Sequence, residues 1–390
     1  MRVLFSFTGG EGHLQPLLPL ALAAAGAGHQ VLVAGAASLG RVAGAAGVPF
    51  RAAGPDVVPQ HVPLTPVDMD REARAVTDAF AGWMARDRAA ALVPLCEEWR
   101  PDVLVRDEMD FGAAVAAECV GIPHASVLVL AAGGFVTADL IREPLDALRA
   151  EHGLPPDPGL EMPTRHLVLS PFAPSFRDPA DRLPGTAQGF RATRPLDHLS
   201  RPAVLDRLSG APVVYVTLGT IFNTESGDLF DRVIAGVRGL PVDVVVTTGR
   251  AVDPASLGPQ PANVHVEQYV AQSLLLPRST AVISHAGSGS ITGALEQGLP
   301  VVCIPMGADQ PLNAARCSAL GVGPTLDAMT LTPGDVAAAA SAILTDPSYR
   351  AAAGRVQAEI AALPPASYAV GLLERLATGE ACTPRAAGAR

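Results

Sequence analysis

The chain has no lysine at all: its 28 basic residues are all Arg. Two chemistries lose their central group at once, the phosphate-clamping Lys of a P-loop and the Schiff-base Lys of a pyridoxal enzyme. Positive charge is also in deficit, 28 basic against 38 acidic residues for a net charge of −10, with no basic stripe. Nucleic acid and anionic membrane surfaces are therefore excluded as partners. Cysteine is sparse. Cys96, Cys119, Cys303, Cys317 and Cys382 are odd in number and widely spaced, without a Cys-x-x-Cys pair or a zinc-spaced cluster, which reads as reduced thiols in a cytoplasmic protein. Membrane-length apolar runs are missing, and Arg2 leads straight into an apolar strand without the features of a signal peptide. A dinucleotide fingerprint is missing as well: residues 9–14 do not spell Gly-x-Gly-x-x-Gly, and no acidic residue ends the second strand, which argues against an NAD-dependent oxidoreductase.

What is present is a chain of 390 residues, beyond the size at which a single core stops growing, so two domains are expected. In the first half, apolar runs at 3–7, 30–34, 102–106 and 125–130 alternate with helical patterns, the first spanning His13 to Gly28. In the second half, runs at 213–218, 242–247, 264–266, 281–284 and 301–304 repeat the scheme. Alternation of this kind predicts parallel sheets covered on both faces, an α/β fold of two facing, doubly wound, Rossmann-like domains with a cleft between them. The Pro-, Arg- and Asp-rich stretch 171–202 reads as a linker. The expected division is 1–200 and 201–365 for the domains, 366–379 for a terminal helix that packs back on the first, and 380–390 for a disordered tail.

Chemistry concentrates at the ends of strands. Gly12 and His13 follow the first strand, where an imidazole can accept a proton from a hydroxyl and the start of a helix would favour its neutral form. Asp107 ends the 102–106 run and can hold that imidazole's tautomer, while Asp110 is better suited to cap the following helix. In the second half, His285 precedes Gly287, Ser288, Gly289 and Ser290 at a strand-to-helix turn, an anion-binding arrangement. Thr220 sits at a smaller turn of the same kind. Asp309 and Gln310 combine an acceptor-only carboxylate with an amide, the mixture that sugar hydroxyls require. Asp68-Met69-Asp70 has the form of a metal-binding pair but follows no strand, and reads as a helix start.

Together these residues resemble bacterial members of glycosyltransferase family 1, the GT-B enzymes that decorate macrolides, polyketides and other natural products. The resemblance is most specific over 263–321, where Asn263-Val264-His265-Val266-Glu267-Gln268-Tyr269-Val270-Ala271-Gln272, the His285 turn and Asp309-Gln310-Pro311-Leu312-Asn313-Ala314 occur in family order and spacing. It implies His13 as general base with Asp107 as partner, and a diphosphate site at His285 and the turn 287–290. Gly12, Thr220, Tyr269 and Val270 would complete the donor site, and Asp309 and Gln310 would hold the sugar. It further implies inversion by direct displacement, with no metal and no cofactor beyond the nucleotide-sugar co-substrate. Tyr269 stands where the family often has Trp, and Ala271 where it usually has Pro. Gly289 replaces an Asn of plant relatives. Gly293 stands where UDP-sugar users commonly carry a Glu, which favours a dTDP-activated deoxysugar over a UDP-sugar. A small hydrophobic aglycone would be bound by the segments 55–95 and 134–165, with Phe80, Trp83, Met84, Phe135 and Leu140 as candidate contacts. The alternatives are a silent nucleotide-sugar-binding partner of another transferase and a nucleotide-sugar epimerase. A homodimer is compatible with all of these features.

Overall fold

The structure, a computed structural model, describes residues 1–56, 62–192, 201–220 and 222–380. The expected tail beyond Glu380 lies outside the described residues, as does 193–200 of the expected linker.

Seven parallel strands form the first sheet: β1 (Arg2–Ser6), β2 (Gln30–Gly35), β3 (Phe50–Ala52), β4 (Val103–Asp107), β5 (His124–Val127), β6 (Leu167–Ser170) and β7 (Ala187–Gly189). Their order is β3-β2-β1-β4-β5-β6-β7. The second sheet has five parallel strands: β8 (Val213–Thr217), β9 (Asp243–Thr247), β10 (Val264–Glu267), β11 (Ala281–Ser284) and β12 (Val301–Cys303), ordered β10-β9-β8-β11-β12. Central strands such as β4, β8 and β11 are buried along their whole length, which explains their continuous apolar composition, since helices cover both faces. The order reverses between β1 and β4, and again between β8 and β11. Adjacent loops part there to opposite sides of the sheet and leave a crevice at the strands' carboxyl ends.

The stretch read as a linker is only partly one. Its residues Ala187–Gly189 pair with β6 as an edge strand, and Phe172 and Phe176 are buried in a core cluster with Leu276, Ile291 and Ala314 of the second domain. The two domains thus share apolar packing. The first helical pattern is also interrupted, into Glu11–Leu14 and Leu18–Gly26, because Pro16 and Pro19 cannot donate to the ladder. Helix Ala366–Ala377 buries Ala369, Val370, Leu372 and Leu373 in the cluster that contains Leu17, Leu18 and Phe5 of the first domain. Where the chain returns for that helix it meets its own outgoing segment: Arg191 forms a bridge with Pro365 and donates its N–H to the Pro364 carbonyl at 2.6 Å.

Candidate functional site

At the first reversal, β1 and β4 are neighbours, with Ser6 opposite Arg106. The residues that follow each strand therefore converge. His13 Nδ1 lies 3.2 Å from Asp107 Oδ1, and Asp107 is itself fixed by the amides of Thr8 at 2.8 Å and Met109 at 2.7 Å. With Nδ1–H donating to the carboxylate, the lone pair is left on Nε2. Burial acts to lower the His13 pKa, but the charge and hydrogen bond of Asp107 outweigh it, helped by Glu108 and Asp309, and the imidazole is raised above its ordinary 6.5. The expectation that a helix start keeps His13 neutral is corrected here: His13 lies in the last turn of a four-residue helix, where the dipole offers it nothing. Asp110 caps helix Phe111–Val120 through the Ala113 amide, and it also pairs with the buried Arg88 at 2.7 Å.

At the second reversal, His285 follows β11 beside β8. Its ring is wedged between two glycines: a Cβ on Gly219 would stand 2.5 Å from His285 Nε2, and one on Gly287 2.4 Å. Gly219 also has φ +81°, so glycine alone fits there on both counts. Burial drives the His285 pKa down to about 4, which keeps the imidazole neutral at pH 7. Ala286, next in the chain, is held at φ +66° while fully buried, a strained conformation of the kind that clusters at functional sites. Helix Ser288–Glu296 then begins from Gly287 without a side-chain cap, leaving its first amides as donors for an anion. Tyr269 is 47% exposed, with the Arg250 guanidinium 4.5 Å above its ring. Thr220 and Gly12 are exposed and Val270 is buried.

Ser288, Ser290, Asp309 and Gln310 are more committed than the sequence suggests. Ser288 Oγ donates to Asp309 Oδ2 at 2.6 Å and accepts from Asn313 Nδ2 at 3.1 Å, so its hydroxyl is not spare for a phosphate. Ser290 Oγ accepts from Gln272 at 3.3 Å. Asp309 also receives Asn313 Nδ2 at 2.8 Å, and burial pushes its carboxyl above the ordinary range against those bonds. Gln310 Oε1 accepts the Met306 amide at 2.8 Å. Asn313, four residues after Asp309 on one helix face, is the organising residue that the motif contained without an assigned role.

The two halves touch across the cleft. Ala131 and Ala132 of the first domain donate to Ser288 and Asn313, Glu11 lies 3.6 Å from Arg250, and the charge of Asp309 reaches His13. Beside His13 stands Phe80, stacked at 5.6 Å between ring centroids and carried by Ala75–Trp83, a wide π-type helical stretch that kinks at Gly82. Phe135 and Leu140 are half-buried on the same apolar cluster as Phe80. Trp83 is 47% exposed, whereas Met84 at 3% packs into the interior and has no face for a ligand. A cavity of about 310 Å³ adjoins this region, lined by Glu108, Phe111, Val136, Ile141 and Leu160. Burial pushes the Glu108 carboxyl up to about 7. A larger groove of about 880 Å³ is lined by Pro123, His166 and Gly379. It lies at the amino ends of β5 and β6, the opposite edge of the sheet from His13, and is separate from the site.

Asp68 caps helix Met69–Arg74 by accepting the amides of Asp70 and Arg71, the helix start expected of that pair. Among the described residues no helix is long and apolar enough to cross a membrane, and no group of three or more His, Cys, Asp or Glu is placed to hold a metal ion.

Residues 231–376 match the family described as erythromycin biosynthesis protein CIII-like, C-terminal domain. Over nearly its whole length the chain is 32% identical to the 4'-demethylrebeccamycin synthase of Lentzea aerocolonigenes, with 96% of this chain and 99% of that one covered. It is 28% identical to the 3-alpha-mycarosylerythronolide B desosaminyl transferase of Saccharopolyspora erythraea, with 97% and 99% covered. The crystal structure of the glycosyltransferase VinC in complex with dTDP superposes with a TM-score of 0.78 at 26% identity, covering 97% of this chain and all of that one.

Proposed function

The chain belongs to the bacterial family 1 glycosyltransferases of antibiotic and natural-product biosynthesis, with their GT-B fold, and from that membership we propose an inverting, metal-independent transfer from a dTDP-sugar to a small hydrophobic aglycone. The observation that carries this reading is the pairing of two strand-end sites. One holds a His13–Asp107 dyad with a free Nε2 lone pair; the other offers a neutral histidine beside an uncapped helix N-terminus.

In the proposed reaction the acceptor hydroxyl gives its proton to His13 Nε2 as its oxygen attacks the anomeric carbon from the face opposite the diphosphate. The C–O bond to the leaving phosphate breaks, and its electron pair goes to the β-phosphate oxygen. Charge developing there is met by the first amides of helix Ser288–Glu296 and by an N–H of neutral His285, preorganised donors that need no cation. Asp107 stabilises the imidazolium that forms. Tyr269 supplies a face for the nucleobase, and Asp309 with Gln310 the polar edge for the sugar. Phe80, Phe135 and Leu140 provide apolar surface near the base, consistent with a hydrophobic acceptor. A side chain at Gly293 would point at Leu276 and Gln272, and its absence is the basis for preferring dTDP over UDP. The free Cys96, Cys119, Cys303 and Cys317 suit a cytoplasmic setting.

A silent binding partner has no use for a complete His–Asp dyad, and the curated relatives named above are a synthase and a transferase rather than epimerases, so both are less well supported. Calorimetric titration with dTDP, UDP and NAD, without added metal, tests the reading. Binding of dTDP in preference to UDP, with none of NAD, is expected; binding of NAD alone would overturn the function.

A further inference from the structure

Residues 128–134 follow β5 and cross from the edge of the first sheet to the second domain. Leu128 still donates to Leu169 of the neighbouring strand at 2.9 Å. The next two amides, of Val129 and Leu130, both converge on Oε1 of Glu108 at 2.5 Å. The following two turn to the other domain, Ala131 to Ser288 Oγ at 2.7 Å and Ala132 to Asn313 Oδ1 at 3.1 Å. Gly134 donates to Asp181 at 2.5 Å, and that carboxylate also binds Arg177 at 2.7 Å. Four successive amides are thus divided between a carboxylate one residue beyond Asp107 and the two side chains that hold Asp309.

We propose that Glu108 is a positioning residue for donor-sugar recognition, acting through the strap 128–134 on the Ser288–Asp309–Asn313 network. Two adjacent amides converging on one oxygen fix the backbone torsions between them, and this sets where the next two amides point. Ser288 and Asn313 each accept one of those amides, and each bonds Asp309 as well. Without Glu108, the Val129 amide would be left unpaired in a residue only 6% exposed, so the strap would shift to find another acceptor. The inference rests on the reading of Asp309 as a sugar-binding group. Glu108 acts on the strap and not on the reacting atoms.

The test is calorimetric titration of dTDP and dTDP-glucose into the wild type, Glu108→Ala, Glu108→Gln and Asp181→Ala. Loss of the strap's anchor should weaken dTDP-glucose by about tenfold in Glu108→Ala while dTDP stays within about threefold, because the sugar end is what the network addresses. Glu108→Gln keeps an oxygen where Oε1 stands and should restore both affinities to within about threefold of wild type. Asp181→Ala cuts the second anchor at a more exposed position and should show the same selective loss, to a smaller degree. Wild-type affinity for dTDP-glucose in Glu108→Ala, or an equal loss of both ligands, overturns the proposal. If Glu108→Ala does not fold, unchanged dTDP-glucose affinity in Asp181→Ala overturns it instead. A wild type that binds neither ligand would strike at the donor reading itself, a failure distinct from these.

Discussion

Asp107 and His13 are 94 residues apart in sequence and 3.2 Å apart in space, and it is the carboxylate that is immobile. Amides from Thr8 and Met109 hold Asp107 in place, so the imidazole takes its orientation from the carboxylate, which leaves Nε2 as the ring nitrogen that Asp107 does not hold. Replacement of His13 by Ala should cut kcat by about 10²- to 10⁴-fold, the usual contribution of a general base, with dTDP affinity unchanged. Transfer at the wild-type rate would remove His13 from the mechanism.

The same pair sets a pH dependence. His13 must be unprotonated to act, and its pKa is raised above 6.5 in the fold. kcat/KM should therefore fall as pH is lowered through a value above 6.5. In Asp107→Asn the largest raising charge is gone while burial still disfavours the cation, so the acid limb should move to lower pH as kcat drops. A limb that stays in place in a pH–rate profile would assign it to another group.

Gly287→Ala puts a methyl 2.4 Å from His285 Nε2, and the ring has no room to retreat between Gly219 and Gly287. We expect dTDP affinity to fall by about tenfold or more, the scale of a lost hydrogen bond to a charged group, with circular dichroism unchanged. Wild-type affinity would show that His285 is remote from the phosphates.

Tyr269→Ala removes the exposed ring beneath Arg250. Stacking of a base on an aromatic side chain contributes about 1–3 kcal/mol, so dTDP should bind at least roughly fivefold more weakly, and Tyr269→Trp should preserve binding. Equal affinity in the Ala variant would place the base elsewhere.

Leu373 is fully buried between the terminal helix and the first domain. Leu373→Ala should cost about 2–5 kcal/mol, read as a lowered midpoint in urea. A change under about 0.5 kcal/mol would mean that this helix contributes little to the fold.

Most strands with both faces buried announced themselves as apolar runs, which is why β1, β4, β8 and β11, and with them His13, Asp107, Thr220 and His285, could be placed from sequence. Strands β3, β6 and β7 could not, although β6 is buried along its whole length. Residues 50–52 are largely exposed, and 187–189 sit in a stretch whose Pro and Gly content reads as a linker. Residues that stand directly at a strand's carboxyl end were legible; those whose contacts come from a distant loop or from the other domain were not. Glu108 owes its role to Val129 and Leu130, and Ser288 owes its commitment to Ala131 and Asn313, contacts that exist only once two domains meet. Met84 shows the reverse failure, since helical spacing alone does not tell a pocket wall from the core behind it.

The bond between Arg191 and Pro364 joins the chain where it leaves the first domain, at 191, to the chain where it comes back, at 364–365. Tied at one point, the two passages leave the contacts of Ala131 with Ser288 and of Glu11 with Arg250 as bonds that any rotation of one half against the other would have to break.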